Sequence, residues 1–109
     1  MEFNELKKFA KQEHKRLVEH FNVKNDPKVK YTMFAKLVEE MGELSEAILT
    51  YDNMQRSDKL SNSKTESKQR LEHEFADVLL VTMILAKELD VDMDKALRAK
   101  IEKIKERKY

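Results

Sequence analysis

The stretch EFADVLLVTMILA, Glu74 to Ala86, decides how this chain folds. From Val78 to Ala86 it is apolar nearly all the way round a helix, with Thr82 as the one polar residue. A helix that is hydrophobic on every face is buried on every face. The run is far shorter than the roughly 20 residues a membrane span needs. It therefore belongs inside protein. Either it sits at the centre of a monomer, or a second chain covers what a small bundle cannot, and the expectation here is an oligomer. Composition makes it a helix. Hydrophobic residues are 40% of the 109, charged residues 39%, and there is one Gly and one Pro. Such a chain is too apolar for a disordered tail and too poor in turn residues for an all-β fold.

Working outward, the same periodicity recurs. Phe3, Leu6, Phe9, Ala10, Leu17, Val18 and Phe21 step by three and four, predicting a helix over about Asn4–Phe21 with Asn4 as its cap. Asp26-Pro27 is an N-cap followed by proline at the first helical position. It opens a helix to about Tyr51 whose stripe is Val29, Met33, Leu37, Met41, Leu44 and Ile48. Residues Asp52–Asn62 are polar apart from Met54 and Leu60 and read as a solvated loop. Ser63 and Glu66 form a possible capping box for a third helix over about Lys64–Leu89. Asp92 caps a fourth, to about Arg107, with Val91 and Ala96 spaced as a hydrophobic staple. The prediction is one all-α domain over 1–109, a four-helix bundle.

Position makes some of the acids informative. On a wheel of 100° per residue with Leu37 at zero, Glu40 lies about 60° to one side and Glu43 about 120° to that side. With Val78 at zero, Glu74 lies about 40° and Asp77 about 100° to one side. Each helix thus carries two carboxylates on one shoulder of its apolar stripe. Like charges in partial burial resist ionisation. Lys or Arg partners, raised pKa values or a divalent cation must compensate, and Lys36, one turn before Glu40, is a candidate partner. Four carboxylates suit a hard cation with oxygen ligands, Mg2+ with Mn2+ as substitute. Gly42, mid-helix, leaves room for close approach or is merely tolerated.

Other classes are disfavoured. The net charge of +1 argues against nucleic acid or an anionic membrane as the main partner. With no Cys, thiolate catalysis and disulfides are out. The charged start MEFNELKKFAKQE is no signal peptide, so a cytoplasmic protein is expected. None of His14, His20 and His73 follows a Glu by three residues, which removes the Glu-x-x-His pattern of di-iron bundles.

The run LVEEMGELSEAI, Leu37–Ile48, followed by EFADVL from Glu74 to Leu79, resembles the all-α nucleoside triphosphate pyrophosphohydrolases of the MazG type. Their signature is Glu-Glu-x-x-Glu on one helix and Glu-x-x-Asp on the next. The resemblance implies a helical bundle assembled as a dimer or a dimer of dimers. It implies cleavage of a nucleoside triphosphate, a dNTP or a non-canonical NTP, between the α- and β-phosphates. It assigns metal ligation to Glu40, Glu43, Glu74 and Asp77. Glu39, with Glu43, would orient or deprotonate the attacking water. Lys100, Lys103 and Arg107, on one face of the last helix, are candidates for the charge of the leaving pyrophosphate; as cations near a helix C-terminus they also suit its dipole. Two features depart from the pattern. The interval between Glu43 and Glu74 is long for the family, and Ile104 stands where many relatives carry Asn. Two other readings remain: a phosphoribosyl-ATP pyrophosphohydrolase-like activity, and a non-catalytic oligomeric binding module.

Overall fold

Four helices follow one another in the computed structural model, which describes residues 1–56 and 61–109: α1 (Phe3–His20), α2 (Val29–Arg56), α3 (Ser61–Glu88) and α4 (Met93–Lys105). Among the described residues there is no strand, and no helix is long and apolar enough to cross a membrane. The expected helices are all present, with different ends. The polar segment expected to be a loop is helical where it is described. Asp52–Arg56 continue α2 and Ser61 already begins α3, while Ser57–Leu60 lie outside the described residues. Polarity there marks an exposed helix face, on which Arg56 pairs with Asp52 one turn back at 3.2 Å.

Helix ends show where local chemistry acts. Asp92 caps α4, its carboxylate accepting from Lys95 N–H; such a cap is worth about 1 kcal/mol. Asp26 Oδ1 accepts from Lys28 N–H at 2.9 Å and turns the chain into α2. Three expectations fail. The cap of α1 is Glu2, with no side-chain bond, so Asn4 lies inside the helix. Ser63 is inside α3 and caps nothing. Val91 and Ala96 are both exposed, so the staple has no buried contact to make. After α1 and after α3 the chain exits through a left-handed residue, Asn22 (φ 52°) and Asp90 (φ 55°). Val23 N–H donates to Val18 carbonyl at 2.9 Å and Val91 N–H to Ala86 carbonyl at 2.8 Å. These are Schellman closures, made with Asn and Asp where glycine is usual.

The chain divides into two compact units, residues 1–30 with 83–109, and residues 31–82. The first contains the apolar core: Leu6, Ala10, Val18, Val29, Met83, Ile84, Leu85 and Ala86. There His14 Nε2 lies 2.8 Å from Glu88 Oε2, tying α1 to the end of α3. α4 buries no residue, and Leu97, Ile101 and Ile104 stay exposed.

The second unit is a helical hairpin of α2 and the greater part of α3. Its buried described residues are Glu40, Ala47 and Ser67. Phe34, Val38, Met41, Leu49, Phe75 and Leu79 are each at least half exposed. The expectation that Val78–Ala86 is buried all round thus holds within the chain for Met83–Ala86, whereas Leu79 is half exposed. Thr82 resolves its polarity internally, donating to Val78 carbonyl at 2.7 Å.

Candidate metal centre

Two antiparallel helices present a row of polar, mostly ionisable side chains to each other. On α2, Glu39, Glu43, Glu46 and Thr50 recur at four, three and four residues, with Glu40 beside them. On α3, Arg70, Glu74 and Asp77 recur at four and three. Such spacings put each set on one helix flank. All of these residues lie within the hairpin unit.

Glu40, Glu74 and Asp77 come together. Each offers one carboxylate oxygen, and these oxygens all lie within 4.8 Å of one another. Glu40 is 6% exposed; Glu74 and Asp77 are half-buried. Glu40 is thus deeper than the wheel implied, in the seam between the helices and not on its shoulder. Apolar residues circle α2, so centring on Leu37 mislocated the seam. It centres on Glu40 and, two turns later, Ala47, which at 1% exposed is the most deeply buried hydrophobic residue among those described.

Compensation for these charges is incomplete. Lys36 Nζ lies 3.2 Å from Glu40 and 3.5 Å from Glu39. Its pKa is raised chiefly by the hydrogen bond to Glu40; desolvation, the next largest effect, opposes this, and the charges of Glu39 and Glu40 add to the rise. That is the expected one-turn pairing, and it occupies one end of the row. Glu40 Oε2 and Glu74 Oε2 are buried with no hydrogen-bond partner among the described residues. A buried, unpartnered carboxylate oxygen is costly and rare. Glu43, half-buried, stands next to the three-oxygen cluster without being part of it. The negative charge of Glu40 raises its pKa, with partial burial, hydrogen bonding to Glu40 and the charges of Glu74 and Glu39 adding.

This donor set fits a small divalent cation. It is all hard oxygen, negatively charged, closely spaced, and has two acceptors that no described residue satisfies. Monovalent Lys36, half exposed, neutralises only part of it.

The other expected site residues are placed differently. Glu39 is exposed and held by Lys36. Lys100 and Lys103 lie on α4 and Arg107 just beyond it, all exposed and all in the first unit. Gly42 has nothing within 4 Å of where a Cβ would stand, so no described residue approaches closely there. Sequence reasoning missed Arg70. Nη1 of its guanidinium donates to Thr50 Oγ1 at 3.4 Å and Nη2 lies 3.6 Å from Glu46, one turn along the row from Glu74. Its one available signal was the spacing of four before Glu74. It also missed the pairing of His14 with Glu88, which depends on tertiary proximity.

Compared with known proteins, residues 29–109 match the family model described as the MazG nucleotide pyrophosphohydrolase domain. No curated protein and no solved structure matches.

Proposed function

We infer the reaction from the premise that this chain belongs to the MazG nucleotide pyrophosphohydrolase family, whose model spans α2 to the C-terminus. The reading is hydrolysis of a nucleoside triphosphate, a dNTP or a non-canonical NTP, between the α- and β-phosphates to give the monophosphate and pyrophosphate. The observation that carries it is the convergence of carboxylate oxygens from Glu40, Glu74 and Asp77, two of which, Glu40 and Glu74, also carry a buried oxygen with no partner among the described residues.

Glu40, Glu74 and Asp77 would hold Mg2+, or Mn2+ in its place, with Glu43 completing the set. The cation, when bound, supplies positive charge for phosphate oxygens and acidity to a coordinated water. The protein's part is to aim the attacking water and take its proton. Glu39 and Glu43 flank the cluster from the α2 side, and a carboxylate there accepts the proton as the new oxygen–phosphorus bond forms. The α–β bridging bond breaks and its electron pair leaves with pyrophosphate. Lys100, Lys103 and Arg107 remain candidates for binding phosphate charge.

The test is a panel of ordinary and modified nucleoside triphosphates, with phosphoribosyl-ATP as a further arm, assayed for pyrophosphate with and without magnesium. Magnesium-dependent release of equal amounts of monophosphate and pyrophosphate from at least one compound is the expected result. No turnover on any of them removes the proposal.

The assembly is proposed as a dimer or a dimer of dimers. The exposed residues Phe34, Val38, Met41, Leu49, Phe75 and Leu79 are too many large apolar side chains on one hairpin for a free surface. A mass of at least twice 13.0 kDa by light scattering is expected at micromolar concentration. A strictly monomeric protein would overturn this part.

A further inference from the structure

The row of ionisable groups between α2 and α3 has two ends, and they differ. At one end Lys36 is committed, bridging Glu39 and Glu40. At the other, Arg70 is held but not saturated. Its two contacts, 3.4 Å to Thr50 and 3.6 Å to Glu46, are long for a guanidinium; charge-assisted bonds usually run to about 2.7–2.9 Å. Arg98, at 2.9 Å from Asp94, is an example in this same chain. Glu46 is itself largely exposed, so its hold on Arg70 is weak. Thr50 and Glu46 therefore set the direction of the guanidinium while leaving N–H donors free.

Helix geometry sets the reach. Arg70 precedes Glu74 by four residues, a rise of roughly 6 Å along α3. On α2, Glu46 follows Glu43 by about one turn. Arg70 thus stands next in line after the carboxylate cluster, on the same flank of the hairpin. A triphosphate whose α-phosphate lies at the carboxylates and whose chain runs toward the far end of the row brings its terminal phosphate to a cation. The opposite direction leads to Lys36, which is already occupied by two carboxylates.

We propose that Arg70 binds the terminal phosphate of the substrate, and that this contact makes the site prefer triphosphates to diphosphates. The inference rests on the pyrophosphohydrolase reading. A planar guanidinium matches two oxygens of a phosphate, which an ammonium does not. The charge it meets grows as the bridging bond breaks, so the contact strengthens in the transition state. Water attacks the same α-phosphorus in either substrate. A triphosphate releases pyrophosphate and a diphosphate releases phosphate, and only the former carries the group that Arg70 meets.

The experiment compares wild type, Arg70→Ala and Arg70→Lys on one nucleoside triphosphate and its diphosphate, with magnesium. For Arg70→Ala, kcat/KM on the triphosphate should fall roughly 10²-fold. On the diphosphate it should fall far less, so the preference collapses. Arg70→Lys should recover part of the loss on the triphosphate alone. Binding of inorganic tripolyphosphate with magnesium, followed by calorimetry, should weaken about tenfold in Arg70→Ala, while magnesium binding alone stays unchanged. Equal losses on both substrates, or a lowered magnesium affinity, would mean that Arg70 supports the hairpin and would overturn the proposal. An active wild type with an unaltered preference in Arg70→Ala overturns it too and leaves the reaction standing. If the wild type turns over neither nucleotide yet Arg70→Ala loses tripolyphosphate binding, the reaction fails and the phosphate contact survives.

Discussion

Glu40→Gln should abolish magnesium-dependent pyrophosphate release while raising the melting temperature of the metal-free protein. The two effects have one cause. Glu40 is the most buried carboxylate of the row, with an unpartnered oxygen, and it lies near Glu74, Asp77 and Glu43. In the metal-free fold its charge is a burden that half-exposed Lys36 only partly relieves. Gln keeps the shape, removes the charge and adds N–H donors for a neighbouring carboxylate, at the cost of the Lys36 pair. A gain of about 1 kcal/mol, or roughly 4–8 °C in a domain this size, is expected. Activity should fall by ~10³-fold, the upper range for removing one group that stabilises developing charge. Asp77→Asn should lose activity similarly, since it removes another member of the same cluster. Thermal unfolding by circular dichroism and a pyrophosphate assay read both quantities. A Glu40→Gln protein that retains full turnover removes Glu40 from the site. One that is inactive and also unfolded shows that the charge was structural.

The second large effect is the response to the cation. Folding brings Glu40, Glu74 and Asp77 within 4.8 Å of one another, an arrangement the unfolded chain lacks. A cation that binds the folded state alone stabilises it by about 2.7 kcal/mol at a hundred times its dissociation constant. In a domain of this length that is a rise of roughly 10–20 °C. Millimolar magnesium or manganese should produce it, chelation should reverse it, and Glu40→Gln should lose it. Potassium at matched ionic strength should do little, because screening does not fill oxygen ligands. A melting temperature indifferent to both divalent cations, with and without nucleotide, would favour a non-catalytic bundle.

Much of this was legible in the linear text, and the reasons are specific. The spacing of Glu40, Glu43, Glu74 and Asp77 is local, and so is the cap at Asp92, where a side chain bonds the backbone three residues on. Capping by Asn4 or Ser63 was equally allowed locally but did not occur, because each helix began earlier. The polar segment after Tyr51 looked like a loop because composition cannot tell an exposed helix face from a turn. The seam of α2 was displaced because large apolar residues surround that helix, and its exposed ones include Val38, Met41 and Leu49. Centring on hydrophobicity pointed to Leu37, whereas packing selected Ala47 and with it Glu40. Arg70 was invisible for a different reason. Its meaning depends on which residues of α2 lie opposite α3, and the register of two helices is a tertiary property.

Ala47 has one more implication. Among the hairpin's described residues only Glu40, Ala47 and Ser67 are buried, so a bare methyl group is the one buried apolar side chain there. The three converging oxygens come from both arms, so their spacing follows the separation of the arms. A bulkier residue at 47 is expected to part the arms and draw Glu40 away from Glu74 and Asp77, shifting any cation preference from small ions toward large ones with no ligand residue changed.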